Sequence, residues 1–182
     1  MKKSILISVL ILFSFQVMSQ QNMLTLSGGW ASAKVADNDK TGTGWTLKGL
    51  WEINPQEGNF AHGVCFGYVN LSSTNGTGIN TTTSTINSFP IYYAPKMMFG
   101  KEKVKFFVKG ALGMQYAGLK REGAISLTDS DFGFYGGAGT GLMLFVKENI
   151  FLNAEYELAW ASNTWYNDGW ISTLGVGIGF KF

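Results

Sequence analysis

Apolar and polar side chains alternate with period two along most of this chain, in blocks of about ten residues set apart by polar stretches. The clearest block places Val104, Phe106, Val108, Gly110, Leu112, Met114 and Tyr116 on one face. Its other face carries Lys103, Lys105, Phe107, Lys109, Ala111, Gly113 and Gln115. Successive strand residues point to opposite sides, so one face suits lipid and the other a polar interior. Two more blocks repeat the logic. Leu152, Ala154, Tyr156, Leu158 and Trp160 oppose Asn153, Glu155 and Glu157, while Leu174, Val176, Ile178, Phe180 and Phe182 oppose Thr173, Gly175, Gly177, Gly179 and Lys181. Five further strands are predicted over Met23 to Lys34, Gly44 to Ile53, Phe60 to Leu71, Thr85 to Ala94 and Phe132 to Val146.

Eight strands of this kind predict an all-β fold. In hydrocarbon every backbone donor and acceptor needs a partner, so the sheet is expected to close as an antiparallel up-and-down transmembrane barrel. The connections alternate in character. Asn54 to Asn59, Pro95 to Glu102 and Lys147 to Asn149 read as compact periplasmic turns. Val35 to Thr43, Ser72 to Ser84, Ala117 to Asp131 and Ala161 to Gly169 read as longer or more polar outside loops. An even strand count then puts both chain ends in the periplasm. Outward aromatics fall into two sets: Trp51, Tyr93, Phe106, Phe180 and Phe182 toward the periplasm, and Trp30, Trp45, Tyr68, Phe134, Trp160 and Trp170 toward the outside. Paired girdles of this kind belong at the two membrane interfaces.

The first residues differ from the rest. Lys2 and Lys3 precede an apolar run from Ile5 to Val17, and Val17-Met18-Ser19 supplies side chains of the kind signal peptidase reads. Residues 1–19 are therefore expected to be a signal peptide and residues 20–182 one barrel domain. Loss of Lys2 and Lys3 would leave 12 basic against 12 acidic side chains, which gives no basic face for nucleic acid. Cys65 is the only cysteine, so neither an internal disulfide nor a cysteine metal site can form.

The terminal pattern Leu174-x-Val176-x-Ile178-x-Phe180-x-Phe182 is similar to the C-terminal recognition strand of outer-membrane barrels. Export followed by eight alternating strands resembles the small outer-membrane barrel family typified by outer membrane proteins A and X. The Ser19-Gln20 junction is similar to those of Bacteroidota export signals. The resemblance implies an outer-membrane location, contact with outer-membrane lipid and lipopolysaccharide, assembly by the barrel-assembly machinery through Phe180 and Phe182, and a monomer. It implies no cofactor and no catalytic residue, because members serve structural, adhesive or uncharacterised surface roles.

Candidate chemistry is sparse. The run Gly136 to Gly141 does not fit G-x-G-x-x-G and no helix follows it, so close packing in a curved sheet is the better reading. His62, the only histidine, falls next to a periplasmic turn and facing outward, away from outer-leaflet lipopolysaccharide, and reads as an interfacial side chain. Cys65 reads as a small lumenal filler. The sequons at Asn75 and Asn80 mark a polar loop, and Asp129, Asp131 and Asp168 lack the spacing of a calcium loop. Parity places Lys48, Glu52, Lys105, Lys109, Glu155, Glu157 and Lys181 inside, as a compensated ionic network in two layers: Lys48, Lys109, Glu155 and Glu157 at mid-depth, and Glu52, Lys105 and Lys181 nearer the periplasmic mouth. Trp165 and Tyr166 are expected at an exposed loop tip, either for recognition or resting among lipid headgroups. The expected function is non-enzymatic: an envelope or surface adhesion and binding role through the loops. A narrow channel and a lipid-modifying enzyme are the alternatives.

Overall fold

The computed structural model describes residues 20–35, 40–55, 58–76, 81–101, 103–123 and 126–182, all of them strand, turn or irregular, with no helix. The expected signal peptide, residues 1–19, and Asn80 lie outside the described residues. Nine strands form: β1 Gln20–Val35, β2 Lys40–Pro55, β3 Phe60–Asn75, β4 Thr82–Tyr93, β5 Lys96–Lys101, β6 Val104–Glu122, β7 Leu127–Lys147, β8 Ile150–Ala161 and β9 Tyr166–Lys181. All pairings are antiparallel, and β9 returns to β1 in the register Met23↔Lys181 through Ala33↔Ile171. The sheet is thus a closed ring with no free edge, as backbone in hydrocarbon requires.

The ninth strand is a break in the fourth stave of an eight-stave barrel. β4 and β5 both pair with β3 on one side and with β6 on the other. Across the break Ala94 exchanges backbone hydrogen bonds with Gly63 at 2.8 and 3.1 Å, and the Gly110 N–H donates to the Pro95 carbonyl at 2.8 Å. Pro95 has no N–H, so it removes one rung and not the stave. The expected turn from Pro95 to Glu102 is therefore corrected: residues 96–101 are strand, and Glu102 lies outside the described residues.

The outside loops are also shorter than expected. The ladders run on to Val35↔Lys40, Asn75↔Thr82 and Arg121↔Leu127, so much of what reads as loop is sheet. A strand needs only about 9–11 residues to cross the hydrocarbon. The 19 residues of β6 and 21 of β7 carry the sheet well beyond it. Beyond the membrane both faces can be polar, so threonine and serine satisfy the ladder without an apolar face.

Outward positions form an apolar belt, with Phe106 59%, Leu112 59%, Phe66 58% and Val176 68% exposed. Outer-girdle aromatics face one another across neighbouring strands: Trp30↔Trp45, Phe89↔Tyr116, Tyr116↔Phe132 and Trp160↔Trp170. At the end holding Gln20 and the C-terminal Phe182, here the terminus end, His62 faces outward, edge-on to Phe60, with Nδ1 2.6 Å from the Tyr93 hydroxyl. The glycines of β7 and β9 take up bulky neighbours. A Cβ on Gly179 would collide with the Phe151 ring, and one on Gly141 with the Phe107 ring.

Candidate functional site

The lumen is filled in three layers. Nearest the termini, Met23, Met98, Phe107, Met143 and Phe151 form an apolar cluster with Phe145 against it. The Glu52–Lys96 pair is embedded beside this cluster, its atoms 2.7 Å apart, with the Lys96 ammonium 4.6 Å from the centre of the Phe107 ring.

The middle layer is ionic. Lys48 lies 2.9 Å from Glu157 and 3.4 Å from Glu155, and Lys109 lies 2.8 Å from each. Two tyrosines complete it: the Tyr92 and Tyr135 hydroxyls each donate to Glu157 at 2.8 Å, and their rings stack at 5.1 Å. Glu157 thereby meets four donors, and Lys48 also donates to the Thr173 hydroxyl at 2.9 Å. Burying a charge is tolerable only with such pairing and hydrogen bonding. Two cations face two carboxylates, so the layer is neutral. Cys65 is fully buried on the same face.

The outer layer is a plug. The Tyr166 hydroxyl donates to Ser88 at 3.1 Å, and Gln115 donates to Asn163 at 3.1 Å and to Tyr166 at 3.3 Å, all four side chains being buried. Trp165 packs against the adjoining apolar cluster of Leu71, Ile86, Leu119 and Ile171. Residues 162–165, between β8 and β9, fold inward over this end. The Ser162 N–H donates to the Phe134 carbonyl at 3.0 Å and the Phe134 N–H donates to the Ser162 hydroxyl at 2.8 Å, which fixes the turn, and the Asp131 carboxylate accepts from the Thr164 N–H at 2.9 Å and its hydroxyl at 3.1 Å.

Of the residues expected inside from sequence, the structure brings Lys48, Lys109, Glu155 and Glu157 together at one depth. It does not join Glu52 to Lys105 or Lys181. Lys96, counted with a turn in the sequence reading, takes that place because the stave continues past Pro95. Lys105 instead stands 5.6 Å over the Phe145 ring, and both it and Lys181 line the mouth at the terminus end. Nor are Trp165 and Tyr166 an exposed tip. Tyr166 is 4% exposed because the four-residue turn is too short to project and drops its aromatics into the lumen. Asp131 serves the Thr164 turn, and Asp168 faces Lys34 at 3.6 Å on the rim. Sequence reasoning missed Tyr92, Tyr135 and Lys96. Parity would have found them, since Tyr92 alternates with the outward Tyr93.

The bonds from Thr164 hold the Asp131 carboxyl below its ordinary value. A carboxyl so lowered adds stability that is present above its unfolded value, about 4, and is lost as pH falls through its folded value. Acidification is therefore expected to loosen the 162–165 turn. Acrylamide quenching of single-tryptophan Trp165 fluorescence should rise below about pH 4, and Asp131→Asn should quench readily at all pH values. Quenching of the unsubstituted Asp131 chain that ignores pH would count against the latch.

A closed antiparallel barrel with an apolar belt, two aromatic girdles and a charged, packed interior defines the class of small outer-membrane β-barrels. Residues 5–182 match the family described as outer membrane protein beta-barrel domain, and the chain belongs to that family. Among solved structures the chain is similar to Ail, the attachment invasion locus protein of Yersinia pestis (TM-score 0.59, 18% identity, covering 91% of this chain and 100% of that one). It is also similar to Neisserial surface protein A (TM-score 0.64, 16% identity, 90% and 97% covered). A third likeness is to the N-terminal β-barrel domain of Pseudomonas aeruginosa OprF (TM-score 0.52, 12% identity, 89% and 97% covered). Among curated proteins, none matches the chain by sequence. These identities carry the fold alone.

Proposed function

We propose that this chain is a non-enzymatic surface barrel with a sealed lumen, fixed in the outer membrane and presenting the polar extension of its sheet to the outside. The lumen carries the reading: among the described residues, neutralised ion pairs fill mid-depth, with an apolar cluster below them and a hydrogen-bonded plug above. An eight-stave barrel has an interior only wide enough for side chains to fill. A lipid-modifying role finds no support in the site, because the buried carboxylates are engaged by lysine and tyrosine, and His62 faces outward at the terminus end. Lipid A from cells with and without the chain should give the same mass spectrum. A changed acyl pattern would overturn the non-enzymatic reading.

The termini face the periplasm in this reading, so the tall β1–β7 rim faces out and serves the envelope or binds a surface ligand. Attachment, the property in the name of Ail, is the first binding role to test. Cys65 is buried and silent toward reagents, which makes the topology accessible: Ser72→Cys should react with an impermeant maleimide on intact cells, and Asn149→Cys only after lysis. The reverse pattern would invert the barrel.

Lipid, lipopolysaccharide and, during biogenesis, the barrel-assembly machinery are the partners of a monomer. Phe182, 70% exposed beside outward Phe180, is then an assembly signal as well as a lipid contact. Phe182→Ser should lower outer-membrane yield several-fold on quantitative blotting while leaving the refolded barrel intact. Unchanged yield would remove the recognition role.

A further inference from the structure

We infer that the terminus-end mouth of the barrel is a binding site for an anion bearing an apolar segment. A cavity of about 720 Å³ opens there, rimmed by Lys103, Lys105, Lys147 and Lys181 with Glu148 as the one carboxylate among its described lining. Deeper in the lumen Lys48, Lys96 and Lys109 each lie within 2.9 Å of a carboxylate. No described carboxylate lies within ion-pair distance of the Lys105 or Lys181 ammonium. Clustered ammoniums repel one another and favour an anion between them, with charge-assisted bonds shorter and stronger than neutral ones.

The remaining wall gives the ligand its second half. Met23, Met98 and Phe145 line the same cavity, and they belong to or pack on the apolar layer that closes the lumen above it. A phosphate or carboxylate head would sit between Lys105 and Lys181, with a short alkyl segment against the two methionines and Phe145. Thioether side chains adapt to irregular apolar partners, which suits such a segment. A lipid of the neighbouring leaflet and a soluble anion both offer the head, and only the former brings the tail. The site is separate from the surface role proposed above and survives if that role fails.

The test is methyl NMR of ¹³C-methionine-labelled protein in uncharged detergent, titrated with octyl phosphate, inorganic phosphate and octyl glucoside. Octyl phosphate should shift the Met23 and Met98 methyls saturably and bind at least about tenfold tighter than inorganic phosphate, the gain from burying about two methylene groups. Octyl glucoside should do nothing. Lys105→Gln/Lys181→Gln should abolish the response, while an unmoved Met143 methyl reports that its barrel is intact. Equal binding of the two phosphates, no saturable shift, or a response that persists in the double variant would each overturn the inference.

Discussion

Replacing Glu157 by glutamine is expected to destabilise the barrel by about 3–5 kcal/mol, because it strands buried cations that the carboxylate now neutralises. Glu157 is 1% exposed and meets Lys48, Lys109, Tyr92 and Tyr135 at once. Glutamine keeps the shape and can still accept from a tyrosine, yet it leaves two ammoniums to share Glu155. The loss should appear as a lower urea midpoint for barrels folded into lipid vesicles. A cycle with Lys109→Met should then show coupling of about 0.5–3 kcal/mol, since the second substitution removes one of the stranded charges. Additive effects would mean that the two groups do not act as a pair.

The second large effect belongs to Lys96. Lys96 and Glu52 are 2% and 0% exposed, 2.7 Å apart, beside the apolar cluster of Met23, Met98, Phe107, Met143 and Phe151. Lys96→Met leaves an uncompensated carboxylate there and should also cost about 3–5 kcal/mol. The double variant Lys96→Met/Glu52→Met should recover most of that loss, because a buried pair exchanged for packed apolar groups is often neutral or stabilising. Methionine can also fill the space beside Phe107 that the lysine stem occupies. A double variant no more stable than Lys96→Met would mean that packing by the lysine stem, not charge, accounts for the loss.

Period-two alternation carries the staves and their facing because lipid on one side and a packed lumen on the other impose opposite chemistry on successive residues. That is why Lys48, Lys109, Glu155 and Glu157 could be grouped by parity and depth. The grouping stopped at Pro95, which reads as a turn signal but here sits in a stave whose neighbours continue past it. A stave read as ending at Pro95 hides Lys96, and parity then offers Glu52 only Lys105 and Lys181 at its depth. Tyr92 and Tyr135 stood on the inward face but were not read as donors, since aromatic rings first suggest burial.

The rim was obscured for a different reason. Ser72 to Ser84 is polar but for Ile79, and Ala117 to Asp131 breaks its apolar positions with Lys120-Arg121-Glu122-Gly123 and Thr128 to Asp131, so no sustained alternation marks either as strand. Their pairing is fixed by the hairpins below, as in Ser72↔Thr85 and Lys120↔Thr128. Tyr166 needed more than local pattern. Its inward position depends on Ser88 and Gln115, which are 78 and 51 residues away in sequence and reach it only once the barrel closes.

Planar-bilayer recording of the purified, refolded chain tests the sealed lumen most directly. Current should stay at the lipid baseline across physiological voltages, because the ionic layer and the Tyr166 plug occupy the same narrow bore. Steady ohmic openings from the unsubstituted chain would contradict a sealed barrel.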